Sequence, residues 1–406
     1  MKLVSISLSP NTEKDDVELA FKELFSREKI KGKSINEFEK TFKEFLGFEK
    51  VFSLNSGRSA LLTILEGLGI KKGDEIIVQA LTCNAVINPI LKKEAVPIYV
   101  DIDETLNIDP ALIEKKITGR TKAIIIQHTF GMPAKIEEIK NICQKKNLYL
   151  IEDCAHSLLA KYKDDYCGKF GDVSFFSFGR DKIISSVYGG MIGVNNKDLF
   201  QKIKEAYLKL DYPDKKWVEK QIRHPILMNL FILPLYNFFN LGKIILELSL
   251  RTKTLSKAVC SLEYEGILPD IFPKRMPSSL AKMALNQFKK AKRFNDHRRE
   301  IATYYKKELG GIFEINRNAV YLKFPIRVSK SEFILKELKK YNLLLEDGWT
   351  KKVIVPPKTN LTKMNYTLGE CKKAEEMSNN MLILPTHINI SKEIAERIVY
   401  ILKSLI

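Results

Sequence analysis

A lysine stands where a merely solubilising charge would be out of place. Lys182 lies in the stretch SFGRDKIISSVYGG, directly after the apolar run VSFFSF and between an Arg-Asp pair and a glycine pair. Surface lysines usually lie on helix faces among other charges, whereas this one follows a run that is typical of a strand. A lysine amine beside hydroxyl and apolar groups can act as a nucleophile toward an aldehyde. The position of Lys182 therefore indicates a chemical role.

Two acids close another apolar run, LYLIEDCAHS, and His156 follows them. Because side chains alternate along a strand, only one of Glu152 and Asp153 can face a given side. A carboxylate buried at a strand end is costly unless a cation meets it, and a protonated heterocyclic nitrogen would serve. The alternative is that these acids only cap the following turn.

Small polar residues precede a helical pattern in NSGRSALLTIL, which begins at Asn55. Free amides at a helix N-terminus favour an anion, and the helix dipole and serine hydroxyls add to that preference. The stretch therefore predicts a phosphate cradle, with an ordinary Ser/Gly turn before a helix as the alternative.

Short β-rich runs alternate with helical patterns from residue 50 to about 195, and they must position these groups. Most of the runs are apolar throughout, which is typical of strands covered by helices on both faces. The pattern predicts a largely parallel α/β sheet, whose connecting loops gather beyond the carboxyl ends of the strands. The predicted strands lie in KVFSLNSG, DEIIVQAL, AVPIYVDID, TKAIIIQHTFG, LYLIEDCA, VSFFSF and GGMIGV.

A phosphate cradle, a buried aspartate and a lysine follow one another along the chain. These are the three anchors that pyridoxal phosphate needs: a grip on its phosphate, a counter-charge for the pyridinium nitrogen and a Schiff-base partner. The three features together are much stronger evidence for a pyridoxal-phosphate site than any one of them alone.

On these motifs the chain resembles the DegT/DnrJ/EryC1/StrS sugar aminotransferases, which are fold-type I pyridoxal-phosphate enzymes. SGRSAL resembles the family's Ser-Gly-Thr-Ala-Ala-Leu, EDCAHS its Glu-Asp-Ala-Ala-Gln/His, SFGRDK its Ser-Phe-x-x-x-Lys, and LPTH its Leu-Pro-x-His. The stretch GDEIIVQALTCNAVINPILKKEAVPIYVDIDETLNID is similar to its second block. The likeness covers nearly the whole chain apart from residues about 215–265.

The resemblance implies roles for particular residues. Lys182 would be the covalent partner of the cofactor, and Asp153 would pair with the pyridinium nitrogen. His156 would contact the side of the ring. The phosphate would be held by the Ser177 hydroxyl and by the backbone of three neighbouring residues, Gly57, Arg58 and Ser59.

The function that the resemblance implies is transfer of an amino group from an amino acid, typically glutamate, to a keto sugar. The sugar would be nucleotide-linked and used in surface polysaccharide or glycolipid synthesis, and the protein would be a homodimer. A lysine at position 182 speaks against the family's dehydrating branch, which carries histidine there. The alternatives are another pyridoxal-phosphate reaction, such as a lyase or condensation, and a catalytically silent regulatory member.

The chain departs from the family pattern at three places. Thr82-Cys83 replaces a pair whose aromatic ring stacks on the cofactor. The family's Asn-Tyr-Arg-Met block, whose Asn crosses to the partner subunit, reads Pro273-Lys274-Arg275-Met276. Tyr188 stands where an acid usually precedes the glycine pair.

Domain organisation follows from the change in character after residue 195. We expect a large cofactor-binding domain over 1–290, which includes an N-terminal helical segment and an apolar insertion near 215–265. A smaller α+β domain would cover 291–406.

The insertion contains an uncharged run between Pro225 and Gly242 that Pro234 interrupts. It is short for a membrane span. Two alternatives stay open for residues 224–250: a peripheral contact with a membrane interface, or a buried helical element packed on the core or on a dimer partner. Apolar segments of soluble enzymes are more often packed on protein, while the basic flanks of this one suit anionic lipid.

Composition narrows the class of protein. The 406 residues include six scattered cysteines without Cys-x-x-Cys spacing, which predicts neither a metal site nor a disulfide framework. The N-terminus lacks the long apolar region of a secretory signal, so we expect a cytoplasmic protein, peripheral at the inner membrane face if the insertion contacts lipid. The net charge of +18 comes from lysines spread along the chain, and it does not indicate a nucleic-acid partner.

Overall fold

The computed structural model describes residues 3–8, 10–346 and 348–406. The strands in these residues, numbered in chain order, are β1 Val4–Ser5, β2 Lys50–Leu54, β3 Glu75–Gln79, β4 Thr82–Cys83, β5 Val96–Val100, β6 Thr121–Gln127, β7 Tyr149–Asp153, β8 Lys161–Tyr162, β9 Asp165–Tyr166, β10 Val173–Ser177, β11 Gly190–Val194, β12 Lys323–Arg327, β13 Leu343–Leu344, β14 Ile354–Val355 and β15 Met381–Pro385.

The α-helices of the same residues cover both faces of the central sheet and most of the C-terminal part. They are α1 Lys14–Leu24, α2 Ser34–Leu46, α3 Gly57–Gly67, α4 Asn84–Lys92, α5 Pro110–Ile113, α6 Ile136–Lys146, α7 Lys197–Leu208, α8 Lys215–Leu227, α9 Leu241–Arg251, α10 Ser261–Tyr264, α11 Ser278–Phe288, α12 Ala291–Leu309, α13 Ser331–Lys340, α14 Lys372–Asn379 and α15 Lys392–Lys403.

The seven runs predicted as strands form one sheet in the order β2-β11-β10-β7-β6-β3-β5. Its neighbours pair in parallel except that β11 runs antiparallel to both β10 and β2. This confirms the prediction of a largely parallel α/β sheet. The carboxyl ends of β2, β6, β7 and β10 therefore lie at one edge, where the predicted site residues follow.

Both faces of this sheet are buried, which explains why its strands are apolar throughout. Along β3, Ile76 and Val78 belong to one hydrophobic core while Ile77, between them, belongs to another. The second core is rich in aromatic rings, such as Phe42 of α2 against Phe176 of β10, with ring centroids 5.0 Å apart. Helices on both faces thus hold the sheet edge in a fixed position.

The C-terminal part is built around an antiparallel pair, β12 and β15, with α12 to α15 around it. Two short parallel pairings join it to the rest of the chain: β1 with β13, and β14 with β4. The first of these places residues from the start of the predicted large domain against the C-terminal part. A domain boundary at 290/291 stays a prediction.

The apolar insertion folds as a helical hairpin. After α8, a π-helical turn at Met228–Ile232 and a bend lead into α9. Among the described residues, the structure contains no helix whose length and apolar character would let it cross a membrane.

Candidate active site

Lys182 lies in the loop that follows β10, at the predicted sheet edge. Its backbone amide donates to the Gly179 carbonyl at 3.2 Å, and its carbonyl accepts a hydrogen bond from the Asn11 side chain. The Phe178 amide donates to the Gly189 carbonyl at 2.8 Å, which ties the start of the loop to the strand that returns. The backbone of the loop is thus held independently of the lysine side chain, whose relative exposure is 19%.

Asp153 ends β7 and is buried. One of its carboxylate oxygens accepts the Ala155 amide at 2.9 Å. Burial raises the pKa of Asp153 to about 6, although the Ala155 amide and the positive charges of Lys182 and His128 work in the opposite direction. An acid in this state favours a cationic partner, because an opposite charge would offset the desolvation of the carboxylate.

Glu152, the neighbouring acid, faces the other side of the sheet and has a structural role. Its carboxylate accepts backbone amides of Gly168, Phe170 and Gly171, each at 2.7 Å, and lies 3.2 Å from Nε2 of His128. His128, Glu152 and Cys154 bring atoms that could bind a metal within 4.8 Å of one another. Since the amides already use both oxygens of Glu152, we interpret this cluster as a brace for the loop after β9. Asp153 is therefore the acid that lies with Lys182.

The cradle predicted at Asn55 to Ser59 forms the start of α3. Ser56 is the N-cap, and its hydroxyl oxygen accepts the Ser59 amide at 3.0 Å. The Ser59 amide is thus already bonded within the helix start, while the amides of Gly57 and Arg58 precede the first helical bond, from Ala60 to the Ser56 carbonyl. A phosphate at this place would meet those two amides.

The Ser177 hydroxyl lies beside this helix start. A Cβ atom added at Gly57 would lie 3.1 Å from Cβ of Ser177, and one added at Gly179 would lie 3.5 Å from its Oγ. Glycine at both positions keeps side chains away from the hydroxyl. Ser177, the amides of α3 and the loop of Lys182 therefore meet at one point.

His156 is buried beside the same group of charges. Its Nδ1 accepts the Phe130 amide at 3.4 Å, which leaves the ring hydrogen on Nε2. Its ring stacks on Phe130 with centroids 5.8 Å apart, and Trp349 contacts both rings edge-on. Burial lowers the pKa of His156 well below its usual value, and the charges of Lys182 and Lys323 lower it further. The imidazole is therefore neutral near pH 7.

Cys83, at the position of the family's stacking ring, caps the start of α4 and faces the charges of the site. Burial raises the pKa of its thiol, against the Ala85 amide and the charges of Lys182 and Arg58. The thiol is therefore protonated near pH 7 and is a poor nucleophile.

The insertion supplies contacts that the sequence did not indicate. The Arg58 side chain pairs with Glu263, donates to the Ala258 carbonyl at 2.9 Å and stacks 4.6 Å from the Phe272 ring. Arg180 donates to the carbonyl and hydroxyl oxygens of Ser256 at 2.6 and 2.8 Å. Residues 256–263, which we call the strap, thus bind Arg58 and Arg180 beside the phosphate cradle. The sequence of these residues contains no local pattern that predicts this contact.

A second lysine also lies at the site. Lys323 opens β12 with a side chain that is 3% exposed, and its Nζ is 3.4 Å from Asp181. The other oxygen of Asp181 is 4.0 Å from Nζ of Lys182. Although burial raises the pKa of Asp181, the two ammonium groups lower it far below its usual range. The available signal for Lys323 was a charge inside the apolar run AVYLKFPI.

Asp181→Asn should therefore lower the free energy of unfolding by about 2 kcal/mol near pH 7, because it removes a carboxylate from a largely buried ammonium. We expect a smaller loss of unfolding free energy than for a fully buried ion pair, since the Asp181 side chain is 30% exposed. Because the pKa of Asp181 is depressed, the carboxylate stays charged around neutral pH. The difference in unfolding free energy between wild type and variant is therefore constant there and becomes smaller only in strong acid. Urea unfolding of both proteins measures this difference.

Glu137→Gln, which breaks the exposed pair with Lys163, is the matched control and should have no measurable effect on stability. Equal stability of Asp181→Asn and wild type would contradict the pairing.

An anion cradle, a buried acid and a loop lysine at the carboxyl edge of a mostly parallel sheet define a site of the kind that pyridoxal-phosphate enzymes use. The chain belongs to the DegT/DnrJ/EryC1/StrS aminotransferase family, whose sequence pattern matches residues 10–222 and 269–403. The unmatched residues between these two ranges, 223–268, overlap most of the insertion predicted near 215–265, although its first residues, 215–222, lie inside the matched range.

Curated relatives agree over about half of their length. The chain is 42% identical over 173 residues to GDP-perosamine synthase of Escherichia coli O157:H7, a match that covers 42% of this chain and 48% of the relative. It is 37% identical over 176 residues to dTDP-3-amino-3,6-dideoxy-alpha-D-galactopyranose transaminase of Aneurinibacillus thermoaerophilus, covering 43% of this chain and 48% of the relative. The chain thus spans about half the length of the curated relatives it matches.

Solved structures of the same fold cover the whole chain. PseC of Helicobacter pylori, an aminotransferase involved in the biosynthesis of pseudoaminic acid, aligns with a TM-score of 0.74 at 24% identity, covering 99% of each chain. The putative sugar aminotransferase Spr1654 of Streptococcus pneumoniae, in its PLP form, aligns with a TM-score of 0.74 at 20% identity over 99% of this chain and 98% of its own. These likenesses confirm the fold, and pyridoxal phosphate is the cofactor of this family.

Proposed function

We propose that the protein is an aminotransferase that moves an amino group from an amino acid, glutamate first among them, to a nucleotide-linked keto sugar. The observation that carries this proposal is the meeting of Lys182, Asp153 and the start of α3 at one sheet edge in a member of the family. The names of the relatives support a nucleotide-linked sugar as the acceptor. One is a GDP-perosamine synthase, and the other is a transaminase of a dTDP-linked amino sugar. Surface polysaccharide or glycolipid synthesis would use the product.

The residues at this edge fit pyridoxal phosphate. Glycine at positions 57 and 179 would let a phosphate approach the Ser177 hydroxyl, and the buried Asp153, whose pKa burial raises, would be stabilised as a carboxylate by a cationic ring nitrogen. When bound, the cofactor supplies an electrophilic carbonyl and an electron sink. Ser177 and the amides of α3 would hold its phosphate, and His156 would offer a neutral face beside its ring.

Lys182 is the group that moves protons in this proposal. Its Nζ would take the proton from the α-carbon of the amino acid and return one to the sugar carbon that receives the amine. The Asp153 carboxylate would stabilise a positive charge on the ring nitrogen. Asp181 would hold the loop of Lys182 next to β12 through its ion pair with Lys323. The buried surroundings of Asp153 and His156 would limit the access of water to the reacting atoms.

The test begins with the purified protein and its visible absorption. Adding L-glutamate should shift the absorption of the bound cofactor, and each of a panel of GDP-, UDP- and dTDP-linked keto sugars should then be tried for reversal of the shift. A new amino sugar detected by mass spectrometry would identify the acceptor. A coloured protein whose spectrum no amino acid changes would argue against transamination, and a colourless one that takes up no cofactor would favour the silent regulatory alternative.

A homodimer is the assembly we propose, because family members build each site from two chains. Within its own chain, Arg275 stacks 4.9 Å from the Tyr207 ring and donates to the Leu208 carbonyl at 2.6 Å. Lys274 lies 3.7 Å from Asp211. These contacts fix the block that replaces the family's crossing segment at the edge of β2, beside a groove of about 490 Å³.

Light scattering at micromolar concentration should give twice the 46.7 kDa mass of the chain. Arg275→Ala should weaken the dimer, because the guanidinium orders the block that would reach the partner, and it should do so without unfolding the chain. A fully active monomer in the same measurement would contradict the proposal.

We also propose that the protein works in the cytoplasm. All six cysteines carry free thiols in the structure, which suits a reducing compartment. Thiol titration of the freshly purified protein in denaturant should find six reactive groups per chain.

A further inference from the structure

Residues 226–251, which we call the apolar hairpin, lie within the part of the chain that the family pattern leaves unmatched. The chain reverses between the π-helical turn and α9. Gly242 makes this reversal close: its amide donates to the Leu235 carbonyl at 2.9 Å, and a Cβ atom there would lie 2.2 Å from the Ile232 carbonyl oxygen. The hairpin is thus an ordered element rather than an extended loop.

One side of the apolar hairpin packs on protein. Met228, Ile232 and Leu255 form a small buried core, and partly buried side chains of α9 close it. The partly buried members from α9 are Ile245, Leu246 and Leu250. Packing on protein, which was one of the two alternatives for this segment, therefore accounts for only part of the apolar run.

The other side of the apolar hairpin faces outward. Phe238 and Phe239, at the tip, are 57% and 82% exposed, with their rings edge to face at 5.0 Å. Along α9, Leu241, Ile244 and Leu248 make an exposed stripe, since they follow at helical spacing. The exposed side also includes Leu230 and Phe231.

The same apolar surface continues onto α1. A groove between α1 and the hairpin is lined by Val17, Phe21 and Leu230, and Phe21 is itself 54% exposed. Phe25, just after α1, is 73% exposed. Apolar patches of this extent mark sites of protein or membrane contact.

Cations border this surface. Lys243, Arg251, Lys253 and Lys257 are exposed on α9 and the residues after it, and Glu247 is the acid among them. Arg251 pairs with Glu247, while Lys243 bonds Asn240 at 2.9 Å beside the tip. Lysine is depleted in the cores of protein interfaces, whereas lysines beside exposed aromatic and aliphatic groups suit anionic headgroups above an acyl layer.

We propose that the apolar hairpin is a docking element for an anionic lipid surface. It inserts Phe238, Phe239 and the outer stripe of α9 between headgroups, and the lysines on its border contact lipid phosphates. The element lies on the bilayer rather than through it, in keeping with the shortness of α9. The strap at 256–263 follows the hairpin directly, so docking holds the candidate active site close to the membrane.

The test is cosedimentation of the full chain with vesicles of phosphatidylcholine alone and of phosphatidylcholine with phosphatidylglycerol. Wild type should pellet with the anionic vesicles, and 0.5 M salt should weaken this binding without abolishing it, since salt screens the lysines but not apolar insertion. Phe238→Asp/Phe239→Asp should bind at least about tenfold more weakly. Both side chains are exposed at the tip of the hairpin and are not among the residues assigned to the candidate active site, so the aminotransferase activity of the variant is expected to be unchanged.

The matched control is Leu368→Asp/Tyr400→Asp, which changes two side chains that are 70% and 80% exposed elsewhere on the surface. This control should bind vesicles like wild type. Circular dichroism and light scattering establish that each variant is folded and has the same mass. Wild type that stays in the supernatant with both vesicles would overturn the proposal. So would loss of the dimer in the Phe238/Phe239 variant, because the outer face would then be covered by a second copy of the chain.

Discussion

Lys182→Ala should lower the rate of amino transfer by at least about 10³-fold and remove the visible absorption of covalently bound cofactor. The loss is large because the proposed role of the side chain is covalent and no neighbouring amine can replace it: Lys323 is engaged with Asp181. The fold should survive, since the Gly179 and Asn11 bonds that hold the loop involve only the backbone of Lys182. Steady-state kinetics and an absorption spectrum of the same preparation measure both effects.

Lys163→Ala is the control for this substitution, because Lys163 is an exposed lysine in a turn and its side chain is 60% accessible. It should leave both the spectrum and the rate unchanged. Thermal unfolding of the Lys182 variant should resemble that of wild type without cofactor. Turnover near the wild-type level in Lys182→Ala would remove the lysine from its assigned role.

The central sheet was predictable because its strands are buried on both faces. A run such as EIIVQ needs no tertiary information to be recognised as a covered strand, and the structure places Ile76 and Ile77 in separate cores. The same logic put the lysine, the aspartate and the helix start at one edge, since parallel strands bring their carboxyl ends together. Local pattern and sheet topology thus agree on where the site lies.

The residue pattern alone did not choose between the two acids of β7, and it was the resemblance to the family that assigned Asp153. Alternation requires that they face opposite sides but does not say which side holds the site. In the structure the amides of Gly168, Phe170 and Gly171 bind Glu152, while Asp153 lies with Lys182, which supports the assignment of Asp153. Those amides come from a loop whose position depends on the whole fold.

Long-range ion pairs were missed for a similar reason. Asp181 and Lys323 lie far apart along the chain, and 205 positions separate Arg58 from Glu263. In a sequence with 67 lysines and arginines, a single partner cannot be chosen by composition. Only the packing of β12 and of the strap against the sheet edge brings these charges together.

Asp153→Asn should keep the fold and some affinity for the cofactor but reduce amino transfer by about 10²-fold or more. Asparagine fills the same volume and can still accept the Ala155 amide, yet it offers no negative charge to a ring nitrogen. The matched comparison is Glu152→Gln, which should instead lower stability, because its amide group cannot accept three backbone amides as the carboxylate does. A thermally stable Glu152→Gln with lost activity, together with an active Asp153→Asn, would reverse the roles of the two acids.

The pH dependence of cofactor binding distinguishes the effect of the Asp153 charge from the effect of its side-chain shape. Burial raises the pKa of this carboxyl to about 6 in the protein without cofactor, so it is charged above that pH and carries a proton below it. Capture of pyridoxal phosphate by the cofactor-free protein should therefore weaken as the pH falls through about 6. In Asp153→Asn the side chain has no charge to lose, and this step should be absent from the affinity measured by absorbance titration between about pH 5 and 8. A wild-type affinity that is flat across the same range would contradict the role of the Asp153 charge, and a step of equal size in the variant would show that another group responds to pH. His156 would not produce a step near pH 6, because its pKa lies well below the usual value.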